Sequence, residues 1–136
     1  MTNGSNTWDV SYPMIRFAEG LIGTHRNVAS WTRERDIFFY VERRTQGGTL
    51  RVLVLDEYTM GLARVQQALA EFGHLDIIWS GGNWAGYTPQ AKQFCLDAHI
   101  GLYNTGEVSG GLSIDDYWDY AKRDLKGNRI DCSRAA

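Results

Sequence analysis

Cysteine, proline and long apolar runs are what this chain has least of, and each scarcity excludes something. The two cysteines, Cys95 and Cys132, have neither metal-ligand spacing nor the pattern of a disulfide framework, which points to a reducing compartment. No window of eighteen apolar residues exists, so no transmembrane helix is expected. The start, Met1-Thr2-Asn3-Gly4-Ser5-Asn6, lacks the basic residues and apolar core of a signal peptide, and a cytoplasmic protein is the expectation. Excess positive charge is also missing. Lys and Arg number 14 against 16 Asp and Glu, giving a net charge of −2, so no global positive field draws nucleic acid to the surface. Any such site must be a local patch. Arg33, Arg35, Arg43, Arg44 and Arg51, in a hairpin region, are the candidates, against the plainer reading of scattered solvated charges. Familiar catalytic signatures are absent too. There is no Ser-His-Asp, Cys-His or dinucleotide-binding pattern, and Ser80-Gly81-Gly82-Asn83-Trp84-Ala85-Gly86 lacks the Lys-Ser/Thr of a phosphate loop. His25, His74 and His99 are far apart and read as surface or capping residues.

What is present is ordinary for one globular domain: 136 residues, 43% hydrophobic and 22% charged. The domain reads as residues 1–136 with an N-terminal arm over 1–12, anchored by Trp8, and a frayed tail over 127–136. From Pro13, the positions Met14, Phe17, Ala18, Leu21 and Ile22 predict a helix ending near Gly23. Val28–Thr32 reads as a strand. Asp36–Glu42 and Leu50–Asp56 read as two more, joined through Gly47-Gly48 into a hairpin. Leu62, Val65, Leu69 and Phe72 mark a helix capped by Gly73. After Tyr103–Glu107, expected to close the last core strand, Ser113-Ile114-Asp115-Asp116 predicts a C-terminal helix packed through Tyr117, Trp118, Tyr120, Ala121 and Leu125.

The segment from Leu75 to Tyr103 organises the rest. Leu75-Asp76-Ile77-Ile78-Trp79 is a buried strand closed by a glycine-rich turn. Thr88 is an N-cap with Pro89 at the first helical position, and Ala91, Phe94, Cys95 and Ala98 form the apolar stripe. Gly101 is expected as a left-handed cap before a strand at Leu102-Tyr103. Strand, helix and strand so close together predict a parallel crossover. Tyr87-Thr88-Pro89-Gln90-Ala91-Lys92 followed by Ile100-Gly101-Leu102 resembles the end of the nuclease core in Mrr-like members of the restriction-endonuclease-like superfamily. The resemblance implies an α/β fold, a three-layer α/β/α core in the order α-β-β-β-α-β with a mixed central sheet, extended here by C-terminal β and α elements.

It also implies where an active site would lie. Such nucleases hold Mg²⁺ on convergent carboxylates, because a hard ion needs an octahedral set of oxygens, and a lysine polarises water or phosphate. Asp36 matches the acid at the start of the second strand, Asp56 the acid at the end of the third, and Glu19 the carboxylate of the first helix. Asp36 and Asp56 are the implied metal ligands. The lysine position after Asp56 holds Tyr58, and Arg64 or Arg51 is left as the substitute base, a poor proton shuttle. The plainer reading makes Asp36 a strand-start residue and Asp56 and Glu57 a solvated pair. Arg43, Arg44, Trp84, Tyr87 and Lys92 are the candidates for contacting nucleic acid or a partner, Trp84 and Tyr87 by stacking. Three functions follow: a divergent Mg²⁺-dependent nuclease, a catalytically inactive nuclease-fold module that binds a protein partner in a defence-type system, and a homodimer built on the aromatic C-terminal helix.

Overall fold

The computed structural model describes residues 6–130. Helix α1 (Tyr12–Thr24) is started by Ser11, whose side chain accepts from the Met14 N–H, with Pro13 in its first turn. Strands β1 (Val28–Glu34), β2 (Phe38–Arg43) and β3 (Thr49–Val54) follow as an antiparallel meander. Gly47 and Gly48, with φ of 69° and 71°, make the β2–β3 turn, as their sequence predicts. A short β4 (Thr59–Met60) precedes α2 (Leu62–Phe72), which ends at Gly73 with φ of 75°. Then come β5 (Ile77–Trp79), β6 (Gly86–Tyr87), α3 (Pro89–Asp97), β7 (Gly101–Tyr103), α4 (Thr105–Ser113), and a small hairpin of β8 (Lys122–Arg123) and β9 (Arg129–Ile130).

The main sheet is mixed, in the order β1-β2-β3-β5-β7, with β3, β5 and β7 parallel. The parallel crossover expected for Leu75 to Tyr103 is therefore present. Helices cover both faces. Arg33 pairs with Phe39 and reaches Glu19 of α1, whereas the next residue back, Phe38, meets Phe72 of α2 with ring centroids 5.5 Å apart. Neighbouring strand residues point to opposite faces, so α1 and α2 lie on opposite sides. The core runs through both interfaces, with Phe39, Leu53, Ile77, Ile78, Trp79 and Leu102 fully buried.

Three expectations are corrected. Gly101 does not cap α3: His99 takes the left-handed conformation, φ 58°, and Gly101 opens β7. Its glycine serves packing instead, since a Cβ there would meet the Tyr103 ring at 2.5 Å and the Tyr117 carbonyl at 3.1 Å. Residues 105–107 are not strand. Asn104 and Glu107 form a reciprocal capping box that starts α4, and Val108 and Leu112 bury its inner side. Finally, no helix spans 113–125. The aromatic residues there are spent on tertiary contacts that hold the chain across the β7 edge. The Tyr103 hydroxyl donates to the Tyr117 carbonyl and accepts from the Tyr120 N–H, and Trp118 stacks on His99 at 4.1 Å. Arg43 donates to the Ile114 carbonyl at 2.6 Å. The helical surface on which a homodimer was expected is therefore not formed.

At the N-terminus, Trp8 anchors its segment as expected, 3% exposed and donating from Nε1 to Glu71. The frayed tail placed over 127–136 is part of the β8–β9 hairpin as far as Ile130. Beyond that it falls, with Cys132, outside the described residues. No helix among the described residues is long and apolar enough to cross a membrane.

Candidate functional site

Register decides which loops meet. Val54, Trp79 and Tyr103 are aligned across β3, β5 and β7, so the segments after them emerge at one edge of the sheet. Because β2 runs the other way, its start comes to the same edge, where the Val54 N–H donates to the Ile37 carbonyl. Asp36 and Asp56 thus both lie at this edge, as the strand order implied. They line different cavities.

Asp36 is 3% exposed and left-handed, φ 69°, and it lines a concavity with Trp8, Glu71 and Phe72 on the α2 side. Its Oδ1 accepts from Arg33 at 3.0 Å and its Oδ2 from Asn6 at 2.9 Å. The same Arg33 donates from Nε to Glu19 Oε2 at 3.1 Å, and Arg16 takes the other Glu19 oxygen. A guanidinium therefore stands between Asp36, one of the two implied metal ligands, and Glu19, the implied carboxylate of the first helix. Mg²⁺ needs several convergent oxygens. The charge of Glu19 and Asp36 is already answered by a buried cation, and no group of three or more His, Cys, Asp or Glu converges among the described residues. The carboxylates as placed do not fit a resident Mg²⁺. Arg64 is also committed, to Glu57 at 2.9 Å and over the Trp8 ring at 4.0 Å. Its hydrogen bond to Glu57 raises its pKa above an already high ordinary value, which leaves it unsuited to shuttle protons.

Asp56 is the carboxylate left open. It lines a crevice of about 320 Å³ with the capping residue Ser11, with Pro13, Met14 and Phe17 of α1, and with Gly82, Asn83, Trp84 and Thr105. Its side chain takes no hydrogen bond or ion pair from any described residue. Trp84 is 60% exposed, and its ring lies over Gly82 so closely that a Cβ there would stand 2.3 Å from it. Phe17, 51% exposed, meets buried Trp79 edge-on at 6.4 Å. The floor is fixed by Gly81, whose carbonyl accepts from the Thr105 N–H, the Thr105 hydroxyl and Trp79 Nε1.

Most of the expected basic patch dissolves into the fold. Arg35 pairs with Glu71, Arg43 clamps main-chain carbonyls over 112–115, and Arg51 packs on Phe38 and Tyr40. Of the five, Arg44 is exposed and its side chain makes no hydrogen bond or ion pair with another described residue. Tyr87 and Lys92 are buried rather than presented to a ligand. The Tyr87 hydroxyl donates to buried Glu107 at 2.8 Å, and Lys92 Nζ donates to the Leu102 carbonyl at 2.9 Å, closing an outward-facing acceptor of the edge strand. Exposed basic residues gather instead on the C-terminal hairpin, as Lys122, Arg123, Lys126 and Arg129. Lys122 Nζ would lie 3.1 Å from a Cβ at Gly106, which is itself 3.3 Å from the amide oxygen of Asn83, so this ammonium and the crevice residue Asn83 flank Gly106.

Phe17 and Lys122 are the site residues that sequence reasoning missed. Phe17 was read as part of the apolar stripe of α1, but the buried positions are Met14, Ile15, Ala18 and Ile22, which leaves Phe17 at the edge of the stripe and open to the crevice. For Lys122 there was no clue, because its placement depends on how the chain crosses β7. Compared with known proteins, the chain matches no family model, no curated protein sequence and no solved structure.

Proposed function

We propose that this chain is a restriction-endonuclease-like domain that no longer cleaves with a metal and instead binds single-stranded nucleic acid, with the Asp56–Trp84 crevice as its site. The helix, three antiparallel strands, helix and parallel strand of α1 to β5 support membership of that fold group. One observation carries the loss of cleavage: Arg33, its side chain 5% exposed, ion-pairs both with Asp36, one of the two implied metal ligands, and with the helical carboxylate Glu19. Binding is supported by a permissive glycine loop that presents Trp84, beside a hairpin whose exposed charges are mostly positive.

The test has two readings on one sample. Mn²⁺ should leave the amide signals of residues 33–36 unbroadened, and single- and double-stranded DNA should survive incubation with Mg²⁺ or Mn²⁺. Fluorescence anisotropy should meanwhile show a labelled single strand binding with an affinity that falls as salt rises. Cleavage, or strong broadening at Asp36, would reverse the proposal. A protein partner is the second reading, favoured by the exposed rings of Tyr12, Phe17, Tyr58 and Trp84. Docking of that kind would depend little on salt, which separates the two.

A further inference from the structure

We infer that the crevice is a nucleobase pocket whose favoured base is guanine, an inference that rests on the binding function proposed above. About 320 Å³ is at the small end of ligand pockets, enough for one base and too little for a duplex. Its apolar walls come from two elements, Pro13, Met14 and Phe17 from α1 and the Trp84 ring from the glycine loop, which suits a flat aromatic guest. The ring is held where it is by Gly82, the residue that leaves room for it.

The selectivity lies in Asp56. An ionised carboxylate only accepts hydrogen bonds, and this one receives none from the described residues. Guanine presents two adjacent donors, N1–H and the exocyclic amine, which match the two carboxylate oxygens. Adenine and cytosine place an acceptor beside their amine, and thymine and uracil set a single donor between two carbonyls. Only guanine satisfies both oxygens without setting a lone pair against the negative charge. The exposed Asn83 side chain remains on the lining for the rest of the nucleotide. The phosphate of such a guest would meet repulsion from Asp56, and Lys122 at Gly106 is the cation placed to offset it.

The probes are octamers of thymidine carrying one central guanine, hypoxanthine, adenine or thymine, together with guanosine monophosphate. Binding is followed by the indole N–H resonance of Trp84, assigned from a Trp84→Phe spectrum. The guanine strand should bind five- to tenfold tighter than the all-thymine strand, and hypoxanthine, which lacks the amine, should lose most of that gain. Asp56→Asn should level the four strands while leaving base-independent binding in place. Lys122→Ala should weaken all of them alike and reduce the salt dependence by about one ion. Guanosine monophosphate matching the guanine strand would make a free nucleotide the ligand, and much weaker binding would make it a strand, both consistent with the pocket. Equal affinities for the four strands, or a guanine preference that survives Asp56→Asn, would overturn the base assignment and leave the binding function standing. No movement of Trp84 with any probe would overturn both.

Discussion

Arg33 donates to Asp36 Oδ1 across 3.0 Å, with the two side chains only 5% and 1% exposed. A buried ion pair is weak evidence of net stabilisation, but removing one partner leaves the other charged and unanswered. Arg33→Met should therefore cost about 3–5 kcal/mol in urea denaturation. Arg33→Met with Asp36→Asn should recover a large part of that loss. Additive losses from the two substitutions would show that the pair is not coupled.

Glu107 is 1% exposed and receives the Tyr87 hydroxyl on both carboxylate oxygens, with the Asn104 N–H as a further donor. Tyr87→Phe takes away a hydrogen bond to a charged group, worth about 1.5–3 kcal/mol, while keeping the ring in the core. The expected result is a lower denaturation midpoint with an unchanged urea slope. An unshifted midpoint would mean that water replaces the hydroxyl.

Gly101 has no room for a methyl group between the Tyr103 ring and the Tyr117 carbonyl. Gly101→Ala should force the 114–121 segment off the β7 edge, at a cost of about 1–3 kcal/mol from overpacking. Limited trypsin digestion would read this directly, through faster cleavage after Lys122 and Arg123 in the variant than in the parent.

Alkaline pH gives a signed prediction. Burial pushes the Cys95 thiol up from 9.0 to about 12. Between those values the unfolded chain has lost this proton and the folded chain retains it. Stability should therefore be fully present below pH 9.0 and fall as pH rises toward about 12. The limiting slope is about 1.4 kcal/mol per pH unit. Burial also raises the Tyr103 and Tyr117 phenols above their ordinary 10.0, so the window between 9.0 and 10.0 isolates the cysteine. Cys95→Ala should flatten the curve there, and a thiol reagent should label Cys95 only as the protein unfolds.

How far the sequence carried depended on whether a feature was local. Gly47-Gly48, Gly73, Thr88 and Pro89 act within their own turn or cap, and each does in the structure what its chemistry predicts. The capping box of Asn104 and Glu107 was equally local and was passed over, because Leu102-Tyr103 drew the strand reading onward. The segment 113–125 misled for a different reason. Its aromatic residues fit a helical stripe, yet Tyr103, His99 and Arg43 offered contacts that the helix could not make.

The sequence by itself determined the helices and main-sheet strands from α1 to β7 and the parallel crossover, since periodicity, caps and short connections are local properties of the chain. Tertiary structure decided the rest. Whether Asp36 would hold a metal turned on Arg33, separated from it by two residues but brought into line with Glu19 only by the packing of α1 on the sheet. Whether Asp56 would be open turned on α1, the glycine loop and the start of α4 meeting around it. A charge is neutralised by what stands beside it in space, and that neighbour is not written next to it in the chain.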